Sequence, residues 1–133
     1  MQTAMEIRHM DKILIVDDDQ VFCGLLKTVL EFEGYEAIVE PDPEAVVSKA
    51  REVQPALILM DVHSEKRDTL GVVRELKADE ALRNIPVVMT SGMDRSPECE
   101  KVGADAFILK PFRPDELTRL VAAMAQKQTT KPG

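Results

Sequence analysis

Short apolar runs that alternate with helical patterns constrain the fold of this 133-residue chain more than any other feature. Five such runs, rich in β-branched residues, occupy positions 13–16, 37–39, 56–60, 85–89 and 106–109. Runs this short and this apolar are typical of strands that are buried on both faces, as the strands of parallel sheets are. The runs therefore predict five strands of a parallel sheet.

The segments between these runs carry amphipathic helical patterns. Their expected inward residues are Val21, Leu25, Leu26, Val29 and Leu30 in the first, Val46, Val47 and Ala50 in the second, Val72, Val73 and Leu76 in the third, and Leu117, Leu120, Val121 and Met124 in the last. The fourth helix is expected to be short, because Ser96 and Pro97 suit its N-cap and first turn and Gly103 its end. Right-handed helical crossovers cover both faces of a parallel sheet, so we predict a doubly wound α/β fold.

One domain is expected, since the length is close to the roughly 150 residues of a typical domain. We place this domain at 12–127, after an N-terminal extension at 1–11 and before a flexible polar tail at 128–133. The net charge of −7 gives an acidic surface, which repels phosphate backbones and anionic lipids. We therefore expect no direct binding to nucleic acid or to a membrane.

Other classes of protein are excluded by simple sequence features. No apolar run approaches the roughly 18 residues that span a bilayer, and residues 1–10 lack the apolar core of a signal peptide. Two cysteines, Cys23 and Cys99, are too few for a disulfide framework and lack the spacing of a zinc site. These features predict a soluble cytoplasmic protein.

Polar side chains that could share one site follow four of the five predicted strands, while the second strand ends at Glu40 and Pro41, outside this group. Sites in open parallel sheets form at the carboxyl ends of the strands. The residues at that edge are Asp17, Asp18 and Asp19 after the first strand, Asp61 after the third, Thr90, Ser91 and Gly92 after the fourth, and Lys110 with Pro111 after the fifth. The predicted fold therefore gathers carboxylates, hydroxyl groups and an ammonium group at one edge.

Carboxylates gathered in this way repel one another. Two like charges about 4 Å apart cost roughly 4 kcal/mol at an effective dielectric constant of about 20, so the cluster favours a bound divalent cation. An all-oxygen donor set favours Mg²⁺, or Mn²⁺, over Zn²⁺. With Lys110 as a further positive charge, the site suits a phosphoryl group, whose transfer to an aspartate forms an aspartyl phosphate.

Each of these residues also has a purely structural interpretation. An aspartate after a strand is often a helix N-cap, and we favour that interpretation for Asp19. Plain turns would account for Lys110 with its proline and for residues 90–92. A cap does not account for Asp17 and Asp18 together with Asp61 on another strand, so the combination favours a functional site.

The motifs around these residues resemble the receiver domain of response regulators in two-component signalling. The resemblance covers about 12–127 and rests on ILIVDD at 13–18, LILMD at 57–61, PVVMTSG at 86–92 and GADAFILKPF at 103–112. It implies a flavodoxin-like sheet with strand order 2-1-3-4-5 and a stand-alone, CheY-like domain.

The resemblance also implies a role for the acidic residues. Asp61 would accept the phosphoryl group, while Asp17 and Asp18 would bind Mg²⁺ or Mn²⁺, with Asp18 the more direct ligand. Asp61 itself and the backbone carbonyl of His63 would complete the metal site. The imidazole of His63 is expected to point to solvent.

The remaining implied roles concern switching and partners. Ser91 and Lys110 would contact the phosphoryl group, the Lys110–Pro111 peptide would be cis, and Phe107 would be the switch aromatic. The phosphoryl donor would be a sensor histidine kinase or a phosphotransfer protein, and the output a contact with a downstream protein target. The domain itself would be a monomer or weak dimer, and not an enzyme.

Two segments depart from the pattern of the family. Proline and glycine are often found four and eight residues after the phosphoacceptor, where this chain has Glu65 and Thr69, so we expect a mobile, charged loop at 62–69. This loop would bring Lys66 and Arg67 near a partner, either for recognition or simply as solvated side chains. The span 91–103 is shorter than is common. It forms much of the output surface in the family, so the resemblance does not define how a partner would dock here.

Three alternatives belong to other classes of protein. A pseudo-receiver would bind partners without phosphorylation, although the intact acids, Ser91 and Lys110 argue against it. A Mg²⁺-dependent phosphatase with an aspartate nucleophile would place it after the first strand, with a second aspartate two residues further on, and would usually carry a cap domain, for which this chain has no room. A flavin carrier would need a Ser/Thr/Gly-rich phosphate loop where this chain has three acids.

Overall fold

The strands of the computed structural model, which describes residues 11–65 and 67–130, form a single parallel sheet. They are β1 (Lys12–Val16), β2 (Glu36–Val39), β3 (Leu57–Asp61), β4 (Val87–Ser91) and β5 (Ala106–Leu109). Their order is β2-β1-β3-β4-β5, and every pairing is parallel. The predicted flavodoxin-like α/β fold is therefore confirmed.

Five helices lie within the described ranges. They are α1 (Gln20–Phe32), α2 (Val46–Val53), α3 (Leu70–Ala78), α4 (Ser96–Lys101) and α5 (Pro114–Thr130), with a 3₁₀ turn (Pro43–Ala45) before α2. Residues 128–130, which the sequence assigned to a flexible tail, are helical, while 1–10 and 131–133 lie outside the described residues. None of the helices described is long and apolar enough to cross a bilayer.

The sheet separates two apolar layers. Ile13 and Ile15 of β1 pack with α1 and α5, whereas Leu14 and Val16 pack with α2, α3 and α4. All four residues are at most 2% exposed. Alternation along a strand that is apolar on both faces gives each layer its own core, and burying one such side chain contributes roughly 1.5–3 kcal/mol. This packing fixes the carboxyl edge of the sheet, where the polar residues lie.

The buried face of α1 differs from the predicted face. Cys23, Leu26 and Leu30 are buried, whereas Val21 is 76% exposed and Leu25 is 62% exposed. Neighbouring residues lie about 100° apart around a helix, so a face centred on Leu26 turns Leu25 towards solvent. The prediction that Val21 and Leu25 point inward was wrong.

Two predicted boundaries also shift in the structure. Strand β4 begins at Val87 and not at Ile85, because Pro86 has no N–H for the ladder. The strand ends at Ser91, two residues later than predicted. Helix α4 has Arg95 and not Ser96 as its N-cap, since the hydroxyl of Ser96 donates to Oδ1 of Asp94 at 2.6 Å.

Candidate functional site

Three charged side chains meet at the carboxyl edge of the sheet. Nζ of Lys110 lies 3.2 Å from Oδ2 of Asp17, which follows β1, and 3.1 Å from Oδ2 of Asp61, the last residue of β3. The backbone N–H of Lys110 donates to the carbonyl of Ser91 at 2.8 Å, so the residue after β5 is held against the last residue of β4. The Lys110–Pro111 peptide is cis, as predicted.

An aromatic side chain completes the surroundings of the ammonium group. Nζ of Lys110 lies 4.2 Å from the ring centroid of Phe22, within cation–π range. Phe22 packs edge to face on Phe112, with ring centroids 5.9 Å apart. The contact with Phe22 was not predicted from the sequence. The only sequence feature that pointed to it is the position of Phe22 in the first turn of α1, which begins directly after Asp17, Asp18 and Asp19.

Burial and charge act against each other in this trio. Burial lowers the pKa of Lys110, but Asp17 and Asp61 outweigh it, and the pKa ends above its ordinary value. Asp17 is only 6% exposed, and burial raises the pKa of its carboxyl despite the Asp19 N–H bond and the charge of Lys110. Lys110 therefore stays positively charged, and an additional cation would favour the ionised form of Asp17.

Asp18 and Asp61 also hold the loop that follows β3. Oδ2 of Asp18 accepts a hydrogen bond from the backbone N–H of Glu65 at 2.9 Å. Oδ1 of Asp61 accepts one from the backbone N–H of His63 at 3.1 Å. The ring of His63 is exposed, but its Nε2 lies 3.0 Å from Nη1 of Arg95. The prediction that this imidazole simply points to solvent was incomplete.

In the region where the sequence predicts a mobile, charged loop, residues 62–65 and 67–69 are joined by hydrogen bonds, and Lys66 lies outside the described residues. Thr69 is 1% exposed, and its hydroxyl donates to the carbonyl of Asp61 at 2.8 Å. Its backbone N–H donates to the carbonyl of Val62 at 2.8 Å, and the N–H of Ser64 to that of Arg67 at 3.1 Å. At the position where the family often has glycine, the Thr69 hydroxyl thus anchors this segment to the end of β3.

Ser91 lies on β4, the strand next to β3, and Phe107 lies on β5, one strand further from the acidic residues. Ser91 is fully buried, and its Oγ accepts a hydrogen bond from the N–H of Met93 at 3.2 Å. The register pairs Asp61 with Thr90, so Ser91 is one residue further along β4. Phe107 is partly buried and packs against the layer formed by α2, α3 and α4. Ser91 is thus on the strand next to Asp61, and Phe107 packs on the face of the sheet that α4 covers.

The donor set at this edge is suited to a hard cation. Within the part of the chain described, no three carboxylate, imidazole or thiol groups form a ready metal site. Mg²⁺ usually takes only one or two carboxylates and keeps several waters, and the buried carboxylate of Asp17 is one that a cation would stabilise. Asp17, Asp18, Asp61 and the His63 carbonyl are all oxygen donors, so they fit this ion.

The fold and its polar edge define a flavodoxin-like α/β protein with an acidic site at the carboxyl ends of β1 and β3. The family model "Response regulator receiver domain" matches residues 13–122. The chain therefore belongs to the receiver domain family of two-component response regulators.

Known proteins agree with this membership. The chain is 32% identical over 124 residues to the DNA-binding response regulator MtrA of Mycobacterium tuberculosis, covering 91% of this chain and 53% of MtrA. It thus spans about half the length of the curated relatives it matches. A CheY-like receiver domain protein of Methanospirillum hungatei superposes with a TM-score of 0.85 at 25% identity, covering 92% of this chain and 99% of that one.

A further solved structure bears on the metal. The receiver domain of the sensor histidine kinase PA1611 from Pseudomonas aeruginosa superposes with a TM-score of 0.80 at 26% identity. The match covers 88% of this chain and 98% of that one. In that protein a magnesium ion is coordinated in the active site cleft.

Proposed function

We propose that Asp61 accepts a phosphoryl group from the phosphohistidine of a sensor histidine kinase or a phosphotransfer protein, with the help of Mg²⁺. Receiver domains are generally phosphoacceptors rather than enzymes. The observation that carries the proposal is the pair of contacts on Asp61. Lys110 contacts Oδ2 and the His63 N–H contacts Oδ1, so both oxygens are oriented at the open edge of the sheet.

The proposed transfer needs orientation and charge neutralisation more than acid–base chemistry. An oxygen of Asp61 attacks phosphorus, the N–P bond breaks, and the imidazole nitrogen of the donor keeps the bonding electrons. Lys110, already shared between two carboxylates, then donates to a phosphoryl oxygen in a charge-assisted hydrogen bond. When bound by Asp17, Asp18, Asp61 and the His63 carbonyl, Mg²⁺ supplies further charge neutralisation.

The new phosphoryl group would act on the end of β4 and on β5. The Ser91 hydroxyl can donate a hydrogen bond while its oxygen accepts from Met93, so a phosphoryl oxygen nearby gives it a strong acceptor. Movement of Ser91 would change the packing of Phe107 and the start of α4. The result is a population shift biased by local charge, which a downstream protein would recognise.

Exposed apolar residues beside the site support a protein as the phosphodonor. Val21 and Leu25 lie in the first two turns of α1, shortly after the acidic residues that follow β1, and both are more than half exposed. Apolar side chains exposed together near a polar site are typical of a protein interface. A small-molecule donor would not need such a surface.

The direct test uses a small-molecule donor and needs no knowledge of the kinase. With acetyl phosphate and Mg²⁺, the intact mass of the wild type should increase by one phosphoryl group, and that of Asp61→Asn should not. Asp68→Asn is the matched control, because Asp68 accepts from the N–H of Leu70 at the start of α3 and the amide oxygen of asparagine can accept the same bond. A wild type that gains no mass would favour the pseudo-receiver. Sustained turnover of a phosphomonoester would favour the phosphatase.

A further inference from the structure

The side chain of Arg95 connects the phosphoacceptor loop to α4. Its Nη1 lies 3.0 Å from Nε2 of His63, and its Nε donates to Oε2 of Glu98 in the first turn of α4 at 2.9 Å. The Arg95 side chain is 17% exposed, which is low for an arginine at the surface. The contact therefore joins two segments through a well-packed side chain rather than a solvated one.

His63 is held at its ring and at its backbone. A guanidinium group only donates hydrogen bonds, so Nε2 of His63 must accept and the proton of the neutral ring must be on Nδ1. The backbone N–H of the same residue donates to Oδ1 of Asp61, and His63 also forms an antiparallel bridge with Asp68. The ring contact with Arg95 thus helps to orient the peptide group that faces the phosphoacceptor.

We propose that Arg95 is a positioning residue that couples the state of Asp61 to α4 through His63. The inference rests on the proposed function, because the signal is a phosphoryl group on Asp61. That group converts the carboxylate to an acyl phosphate, in which the carbonyl oxygen and the bridging oxygen are both weaker acceptors for the His63 N–H than a carboxylate oxygen is. The His63 peptide then shifts, and the ring transmits the shift to Arg95 and to Glu98.

Helix α4 is suited to respond to such a shift. It has only six residues, so it has little stability of its own and depends on the packing of Cys99 and Val102, which are 1% and 7% exposed. A displaced first turn changes that packing directly. This connection does not pass through Ser91 or Phe107, which lie on β4 and β5.

A spectroscopic experiment tests the contact without phosphorylation. At mildly alkaline pH, where histidine side chains are neutral, ¹⁵N NMR should find the His63 proton on Nδ1 in the wild type. In Arg95→Leu the proton should return mainly to Nε2, which a free histidine side chain prefers. An unchanged tautomer in Arg95→Leu would overturn the proposal.

Amide exchange then tests the coupling, with beryllofluoride and Mg²⁺ as the phosphoryl mimic. Exchange in α4 should slow on binding in the wild type and respond clearly less in Arg95→Leu and His63→Leu. The double variant should lose no more than either single variant, because the two residues act through one contact. His63→Gln should respond like the wild type, because its amide oxygen also accepts a hydrogen bond from arginine. Arg119→Leu is the control for loss of an arginine and should also respond like the wild type, because Arg119 forms only a solvated pair with Asp115.

The outcomes separate this proposal from the proposed function. Equal responses of α4 in the wild type and Arg95→Leu, with the mimic bound to both, would overturn the coupling alone. A wild type that does not bind the mimic would overturn the proposed function and the coupling with it.

Discussion

The ammonium group of Lys110 lies between the carboxylates of Asp61 and Asp17, 3.1 Å from the first and 3.2 Å from the second. The Lys110 side chain is 24% exposed and that of Asp17 only 4%, so water screens these charges weakly. One cation therefore offsets the repulsion between the acidic ends of β1 and β3. The same cation is in place to meet the oxygens of an incoming phosphoryl group.

Removal of this cation should destabilise the domain. Lys110→Met leaves two carboxylates facing each other with Asp17 buried and without its partner, and we expect the free energy of unfolding to fall by about 1–3 kcal/mol. Urea denaturation measures the difference. The control is Lys49→Met on α2, whose 3.8 Å contact with Glu52 is a weak helix-surface pair, and its effect should stay within about 0.5 kcal/mol. A Lys110→Met variant as stable as the wild type would show that the repulsion is negligible.

Stabilisation by Mg²⁺ should depend on Asp18. In Asp18→Asn the side-chain oxygen can still accept from the Glu65 N–H, while the charge is lost, so the metal-free domain should melt at the same or a higher temperature. The rise in melting temperature on adding Mg²⁺, which follows from mass action, should disappear. Asp19→Asn is the control, since Asp19 only caps α1 and asparagine caps equally well. A full Mg²⁺ effect in Asp18→Asn would contradict the ligand assignment.

The sequence was sufficient to predict the sheet and the acidic edge, because both follow from local patterns. Buried strands are continuous apolar runs, and parallel strands bring their carboxyl ends together. Asp17, Asp61 and Lys110 could therefore be placed together without coordinates. The face of α1 could not be fixed, because Val21 and Leu25 fit a helical apolar pattern as well as the buried residues do.

Contacts between distant segments explain what the sequence did not reveal. The ring of Phe22 under Lys110, the Glu65 amide on Asp18 and the Arg95 guanidinium on His63 each join residues far apart in the chain. Contacts of this kind leave no periodic pattern in the sequence from which they could be predicted. The Thr69 hydroxyl was likewise unpredictable, since its acceptor is a backbone carbonyl that any residue could provide.

Phosphorylation should slow amide exchange in the segment 92–102. This segment contains the short helix α4, and we expect it to be among the least protected parts of the unphosphorylated domain. Beryllofluoride with Mg²⁺ should draw Ser91 towards Asp61 and order the segment, as followed by exchange and mass spectrometry. Phe107→Ala should weaken this response without reducing phosphorylation. Identical exchange with and without bound mimic would show that this segment takes no part in switching, and would indicate α5 as the output surface.

The hydroxyl of Thr69 should stabilise the loop that carries the phosphoacceptor. Thr69→Val keeps the shape but removes the hydrogen bond to the Asp61 carbonyl at a buried position, so we expect a loss of about 1–2 kcal/mol in the free energy of unfolding. Thr28→Val on α1 is the matched control, because its hydroxyl donates to the Gly24 carbonyl at an exposed site. Chemical denaturation compares the two variants. Equal losses in the free energy of unfolding would show that the buried Thr69 hydrogen bond stabilises the domain no more than the exposed one of Thr28.

The most direct measurement locates the phosphoryl group on the chain. After phosphorylation with acetyl phosphate and Mg²⁺, borohydride converts an aspartyl phosphate to homoserine, which peptide mass spectrometry assigns to one position. We predict homoserine at position 61 and at neither position 17 nor position 18. Homoserine at either of those residues, or at none while the intact mass has increased, would contradict the assignment of Asp61 as the phosphoacceptor.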